Sequence, residues 1–541
     1  MKISKTSLFI GFLVLMLFLA VSSSARVGPT YALVNCKIIP VSGPVVEKGI
    51  IIIRNGLIES LGPVEKISIP EDAEVIKADG LFAYPGLIDI HTNLFLEPAR
   101  EEVQRPAMME AAAAAPQAPD WAKQVGSMAF DLLKPKKSDI EDFQKIGITT
   151  VLVVPEKGIY AGQSVLLNIN GEKKETMVIN NPVALHINFT AERRIYPSSL
   201  MGTMALLRQS FLDTEYYSSY KAQFSKSWRG LKRPEYNPLL ESLSPFVIQK
   251  KPVIFNCQNQ EDIKRALGLI AEFKLNGFLS GANEAWRVAA LLKKTKVPLL
   301  VSLDFRPPLT SVYISQSEEL KEKAEKEVYP ANAANLYKEG IKFALTSHGL
   351  KSAKILPNIQ KAIKAGLPAE EALKAMTIIP AEHLGVSGIL GSLEPGKIAN
   401  IILTSGEIFG EKTKVERVFV DGLLFEVKQP PKEAKPSALS VAGKWKASVS
   451  GPMGEMEMTL ELKQEGNTIT GNVSTEMGKW EISDGLLSGN ELTFVIVATM
   501  MGEKMEIAFS GTAQKDSMEG TLSFMGGSAK LKATRIPEMN L

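Results

Sequence analysis

YPGLIDIHTN, residues Tyr84 to Asn93, decides the fold. Pro85-Gly86 punctuates its start, and Leu87, Ile88 and Ile90 form an apolar run that carries Asp89 and ends in His91. A strand with helices over both faces of its sheet is written as such a continuous run. A histidine at its far end is what a β/α-barrel strand delivers to a pocket at the C-terminal face.

Downstream, strands alternate with helical patterns. Thr149–Val154, Pro252–Cys257, Gly277–Ser280, Pro298–Leu303 and Phe343–His348 read as strands, with Tyr84–Ile90 as the first. Glu261–Phe273 and Asn283–Lys293 space apolar residues by three and four, as helices do. Pro368-Ala369-Glu370-Glu371 opens another helix, with proline in the first turn and acids at the positive end of the dipole. This alternation predicts parallel β/α units, closing as a (β/α)8 TIM-like barrel over residues 81–384. Arg100–Asp120, with its alanine run and prolines, reads as a loop. The aromatic-rich Ala191–Ser244 reads as a mostly helical insertion that covers the barrel mouth.

Residues 26–80 are strand-rich, and GIIIIRNGLIESL places Asn55-Gly56 between two apolar runs. Asn-Gly favours the positive φ angles of a type I′ hairpin turn. A hairpin of this size needs a partner sheet, and residues 385–428, with KIANIIL and KVERVFVDGLLFEV, supply one. The two flanks therefore predict one small composite β-domain. QPPKEAKPS, within a linker at 429–437, has three prolines and alternating charge. Residues 438–541 then alternate polar with apolar, as in Met456, Met458, Leu460 and Leu462. Turn signals recur at Gly466-Asn467, Asp484-Gly485, Gly489-Asn490 and Gly526-Gly527, so a C-terminal antiparallel β barrel or sandwich is expected. Its Gly443-Lys444-Trp445 opening is lipocalin-like, and the domain reads as a stabilising or partner-binding appendage.

At 541 residues, two or three domains are expected. Sixty-two basic against 59 acidic residues, scattered along the chain, exclude an electrostatic case for nucleic acid. Residues 1–25 read as a signal peptide: Lys2 and Lys5, an apolar core from Leu8 to Val21, then Ser23-Ser24-Ala25. The expected location is secreted or periplasmic, with no stable membrane span after cleavage; an uncleaved anchor is the other reading of the same stretch. Cys36 and Cys257 fall in different elements and read as buried free thiols.

The run from Tyr84 resembles the first barrel strand of the metal-dependent amidohydrolase superfamily, PGxIDxHxH, with Asn93 where the second histidine belongs. EPGKIANIIL, VFVDG and KAIKAGLPAEEALKAMTIIPAEHLG resemble that family's closing segments, and residues 28–428 come nearest its imidazolonepropionase-like branch. The resemblance implies hydrolysis of a non-peptide carbon–nitrogen bond, as in a cyclic amide, in a small-molecule substrate. It implies zinc or another divalent ion that activates water and polarises the scissile group. His91 matches the first metal ligand. Asn256 and Ser280 stand where histidines of the fifth and sixth strands belong. His348, or Ser347, stands where an aspartate serves as ligand and general base. Amide and hydroxyl oxygens are poor substitutes for imidazole on zinc.

Three expectations therefore stand side by side. In one, the site is degenerate, the activity weak or absent and the metal gone, leaving a ligand- or partner-binding pseudoenzyme whose pocket Asn93, Asn256, Ser280 and Ser347 line. In the second, His91 and His348, assisted by Asn93, Asn256 or Glu97, hold a rearranged metal site. In the third, the whole chain is an interaction subunit, with the C-terminal β-domain as its contact and an active paralogue as a candidate hetero-partner; the resemblance also makes a homo-oligomer typical. His186 reads as a satisfied core histidine, and His383 as a packing or surface residue.

Overall fold

The computed structural model describes residues 28–96, 121–190, 196–307, 318–427, 439–451, 454–475, 478–500, 503–524 and 527–536. The expected signal peptide, the loop at 100–120, the linker and Glu97 lie outside the described residues. Two compact units result, residues 1–427 and 428–541.

In the first unit, the barrel strands are Leu87–Thr92, Ile148–Val153, Tyr160–Gln163 with Val165–Asn168, Leu185–Asn188, Val253–Cys257, Gly277–Gly281, Leu299–Ser302 and Ala344–Thr346. Every residue of Leu87–Thr92 is buried, as a doubly covered strand requires. The circle closes where His348 N–H donates to the His91 carbonyl at 3.0 Å, with Thr346 Oγ1 2.8 Å from the same oxygen.

The barrel departs from eight parallel repeats at its third strand, which bends at Ser164 and pairs antiparallel with both neighbours. Only residues 154–159 link it to the second strand. A parallel crossover needs a dozen or more residues, so the chain turns straight back. The expected first strand also divides. Phe82–Pro85 pairs antiparallel with Ile401–Thr404 in the flanking sheet, whereas Leu87–Thr92 enters the barrel. Gly86 is the joint: a Cβ there would lie 2.1 Å from Thr149 Oγ1.

The region read as a cover over the mouth is the crossover between the fourth and fifth strands. Its helices, Leu200–Lys226 and Pro238–Val247, return the chain along the barrel's flank. Arg208 Nε pairs with Glu272 at 2.8 Å, and Phe211 meets Phe273 edge-on at 5.2 Å, so the long helix packs beside Gln260–Phe273. Two parallel strands require such a covering helix.

The flanking sheet joins both ends of the unit. Leu423–Glu426, Val415–Val420, Ile401–Thr404, Phe82–Pro85, Tyr31–Ile38, Val46–Arg54 and Leu57–Pro63 follow in that order, with Glu74–Lys77 paired to Tyr31–Ile38. Asn55 and Gly56 both take positive φ, 51° and 79°, between the paired Arg54 and Leu57. Cys36 and Cys257 are free and buried.

The second unit is a closed antiparallel barrel of eight consecutive strands, from Gly443–Gly451 to Gly527–Arg535. Its core holds Trp445, Leu460, Phe494, Phe509 and Leu531. Trp445 Nε1–H donates to the Val441 carbonyl at 2.9 Å, and the Arg535 guanidinium lies 4.4 Å from the indole ring. Asp484-Gly485, expected as a turn, is a register shift inside Gly478–Ser488, a bulge that bends a strand without ending it. Met-Gly recurs at 453–454, 477–478, 501–502 and 525–526. Each pair falls between two partnered strands. The unit is thus a hairpin written four times at a 24-residue spacing.

Gly86→Ala should destabilise the first unit by about 1–3 kcal/mol through overpacking. Thr149→Ala, which removes the nearest atoms, should return part of that loss. Urea unfolding of the single and double variants measures both.

Candidate functional site

Strand alternation and strand ends bring three imidazoles together at the C-terminal face. His91 ends the first strand, His186 lies in the fourth, and His348 follows the eighth. The His91 ring centroid is 4.5 Å from that of His348 and 5.7 Å from that of His186. His348 has φ of 51° and Gly349 φ of 82°; this left-handed pair carries the His348 ring back toward strand one.

Asp89 fixes the arrangement from below. Its buried carboxylate accepts from Thr346 Oγ1 at 2.8 Å, from Ser347 N–H at 2.9 Å and from Ser347 Oγ, and more distantly from His91 N–H at 3.4 Å. Burial pushes its pKa up, and these hydrogen bonds oppose the shift. The imidazoles are held by neutral partners. His91 Nδ1 and Ser280 Oγ are 2.6 Å apart, and His348 Nε2–H donates to Asn256 Oδ1 at 3.0 Å. His186 Nε2 is buried and has no hydrogen-bond partner among the described residues. Burial depresses all three pKa values, that of His186 to about 3; His348 and His186 depress His91 further.

These groups open into a cavity of about 580 Å³ lined by His91, His186, His348, Asn188 and Asn256, with Gln258, Arg265, Glu284 and Arg287 farther round the wall. Asn259 caps the helix Gln260–Phe273 by accepting from Glu261 N–H and Asp262 N–H at 3.0 and 2.9 Å. Glu284 is buried and accepts from Gln260 N–H at 3.2 Å and Tyr329 OH at 3.1 Å. Arg265 pairs with Asp262 at 2.8 Å. At the rim, partial burial raises the Glu156 pKa, opposed by a hydrogen bond from Asn93.

Of the residues expected to line the pocket, Asn256 does. Ser280 and Ser347 are fully buried one layer behind, bonded to His91 and Asp89, because a strand-end hydroxyl is too short to reach past the imidazole. Asn93 turns to Glu156 at the rim. His348 projects into the cavity, whereas its neighbour Ser347 is taken by Asp89. His186, read as a satisfied core residue, is buried yet faces the cavity unsatisfied. VALHINF carries no alternation that would reveal this, since its strand is buried on both faces. His383 lies away from the three-imidazole cluster, edge-on to Phe278 at 6.2 Å. Among the described residues, no group of three or more His, Cys, Asp or Glu side chains is set to hold a metal ion, and no helix is long and apolar enough to cross a membrane.

A β/α barrel with a composite flanking sheet and a polar pocket at its C-terminal mouth defines an amidohydrolase-type protein. The amidohydrolase family model matches residues 261–425. Adenine deaminase 2 of Jannaschia sp. (strain CCS1) is 32% identical over 166 residues, 30% of this chain and 23% of that protein. An imidazolonepropionase of Bacillus mycoides (strain KBAB4) is 40% identical over 58 residues, 11% of this chain and 14% of that protein. The chain thus spans less than a quarter of the length of these curated relatives. The solved amidohydrolase of Thermotoga maritima MSB8 superposes with a TM-score of 0.61 at 26% identity, over 73% of this chain and 100% of that one. The chain belongs to the amidohydrolase superfamily, whose members are typically metal-dependent.

The depressed His186 pKa has a pH signature. The unfolded chain protonates this imidazole near pH 6.5 and the folded chain only near 3. The unfolded state therefore holds the extra proton between these values, and folding stability falls as pH drops through that window. The limiting slope is about 1.4 kcal/mol per pH unit for one fully displaced titration. His186→Gln should flatten the dependence by up to one proton, read from unfolding free energies between pH 7 and 5.

Proposed function

We propose that this chain is an exported amidohydrolase-superfamily protein whose barrel mouth binds a small polar molecule, with its metal-assisted hydrolysis weak or absent. One observation carries the reading. The side chains standing where the family's metal ligands belong are hydrogen-bonded to one another: His91 to Ser280 and His348 to Asn256. This donor set does not fit the family's zinc. Tetrahedral zinc wants thiolate, imidazole or carboxylate donors, and here amide and hydroxyl oxygens replace imidazole at three of the matched positions, Asn93, Asn256 and Ser280. The carboxylate beneath them, Asp89, is already saturated by hydrogen-bond donors from Thr346 and Ser347. No hydrolytic step is therefore routed through a metal.

What the residues present support is binding. A concave site with a few convergent polar groups holds and orients a small ligand. The unpartnered His186 Nε2, the Asn256 amide and the Arg265 and Arg287 guanidiniums supply donors and acceptors around the cavity. The named relatives, an adenine deaminase and an imidazolonepropionase, make nitrogen heterocycles the first ligands to test. Export, to the periplasm or beyond, rests on Lys2, Lys5 and the apolar stretch Leu8 to Val21. The eight-stranded C-terminal barrel is read as a stabilising or partner-binding module, and homo- or hetero-oligomerisation follows only from family custom.

Elemental analysis of the purified chain, prepared without chelator, tests the reading. Zinc well below stoichiometric, together with a thermal upshift by a nitrogen heterocycle that Asn256→Leu abolishes, is the expected result. Stoichiometric metal, lost together with hydrolytic turnover in His91→Ala, would instead establish the rearranged metal site.

A further inference from the structure

The crossover between the fourth and fifth barrel strands carries a surface that the pocket does not use. Between the helices Leu200–Lys226 and Pro238–Val247 the chain makes an elbow, SWRGLKRPEYN. Lys221, Lys226, Arg229, Lys232 and Arg233 stand there against one acid, Glu235, over residues 221–236. Lys221 is committed to Glu241. The other four cations join none of the ion pairs among the described residues, and all four are exposed.

Large aromatics share the surface. Trp228, Tyr216 and Tyr236 are 71%, 71% and 76% exposed. Single exposed apolar residues are ordinary, but clustered ones mark interaction sites. These are clustered. Tyr216 stacks on Tyr220 at 6.1 Å, and Tyr220 OH donates to the Lys232 carbonyl at 2.8 Å. Leu231 N–H bonds the Trp228 carbonyl at 3.2 Å within the elbow. Tyr220 thus ties the helix end to the elbow at Lys232, and the elbow it holds carries exposed aromatic and basic side chains.

The choice of partner follows from charge. A second copy docking symmetrically would set these cations against themselves. The partner is anionic. Trp and Tyr beside Lys and Arg is the composition of proteins that sit at a bilayer surface, where amphipathic rings lie at headgroup level and cations meet anionic lipid. The chain's near-neutral total, +3, does not provide the broad positive field that nucleic acid binding uses. On the export reading proposed above, the apolar stretch Leu8 to Val21 would bring the chain to a membrane. We propose that this elbow docks the protein peripherally on an anionic phospholipid surface, with Trp228 and Tyr236 entering the headgroup layer.

Full-length chain sedimented with phosphatidylcholine vesicles, with and without about a third phosphatidylglycerol, tests this. Wild type is compared with Arg229→Gln/Lys232→Gln/Arg233→Gln and with Trp228→Ala. All share one N-terminus, so a difference among them belongs to the elbow. These side chains are exposed, and unchanged melting temperatures verify the fold. The expected result is phosphatidylglycerol-dependent binding that about 0.5 M salt suppresses. The triple variant should weaken it at least about tenfold, and Trp228→Ala should weaken it severalfold. Equal binding by wild type and triple variant, or wild-type binding that ignores phosphatidylglycerol, would overturn the proposal. Retention on duplex DNA that depends on the three cations, without vesicle binding, would overturn it in favour of a nucleic acid.

Discussion

The Asp89 carboxylate holds the first barrel strand to the last. Its oxygens gather Thr346 Oγ1, Ser347 N–H and Ser347 Oγ from beyond a cylinder seam that has only a three-residue eighth strand to close it. Buried polar groups without partners cost about 1–3 kcal/mol each, so a carboxylate at this depth persists only because the seam supplies donors. The seam in turn sets the site. His91 follows two residues after Asp89 on the same strand, and His348 follows one residue after Ser347 on a left-handed backbone. Both rings are aimed by the clasp beneath them.

How much of this could be read from residues alone depends on how local its cause is. The Asn55-Gly56 hairpin is a two-residue event and is fully legible. So are the fifth to eighth barrel strands, whose apolar runs sit between turn residues and helices. The third and fourth strands are short, and their burial on both faces removes the alternation that betrays a strand. The reversed direction of the third follows from a connection too short for a crossover, which becomes evident only once the strands on either side are known. The long helix Leu200–Lys226 reads as a cover over the mouth for the same reason: without the fourth strand, a crossover looks like an insertion. In the C-terminal barrel, a bulge at Gly485 and a turn at Gly489 present the same residue type. Only the pairing distinguishes them: Ser488 pairs with Glu491 across the turn, whereas the strand runs on through Gly485.

In the site, the legible part is what the first strand carries. His91 and Asn93 are fixed by the YPGLIDIHTN pattern, and His348 by the segment that follows it. His186 was not legible, because a histidine in a four-residue buried strand looks the same whether its ring is satisfied or not. Nor does sequence tell depth. Ser280 and Ser347 occupy the right strand ends but stop one layer short of the cavity, Ser280 behind His91 and Ser347 against the buried Asp89.

Amide and hydroxyl partners set what the imidazoles of this pocket must satisfy. A divalent ion would use imidazole lone pairs and balance carboxylate charge. In its place the proposed site has neutral bonds, His91 with Ser280 and His348 with Asn256. Such bonds let imidazoles remain uncharged at depth, where burial would in any case expel their protons. They also make the paired positions interdependent. An apolar side chain at Asn256 or Ser280 would strip a partner from a histidine already in place. The exception is His186, whose Nε2 has no hydrogen-bond partner among the described residues. Its orphaned nitrogen opens onto the cavity, and a small molecule with a complementary polar group is the partner this fold leaves room for.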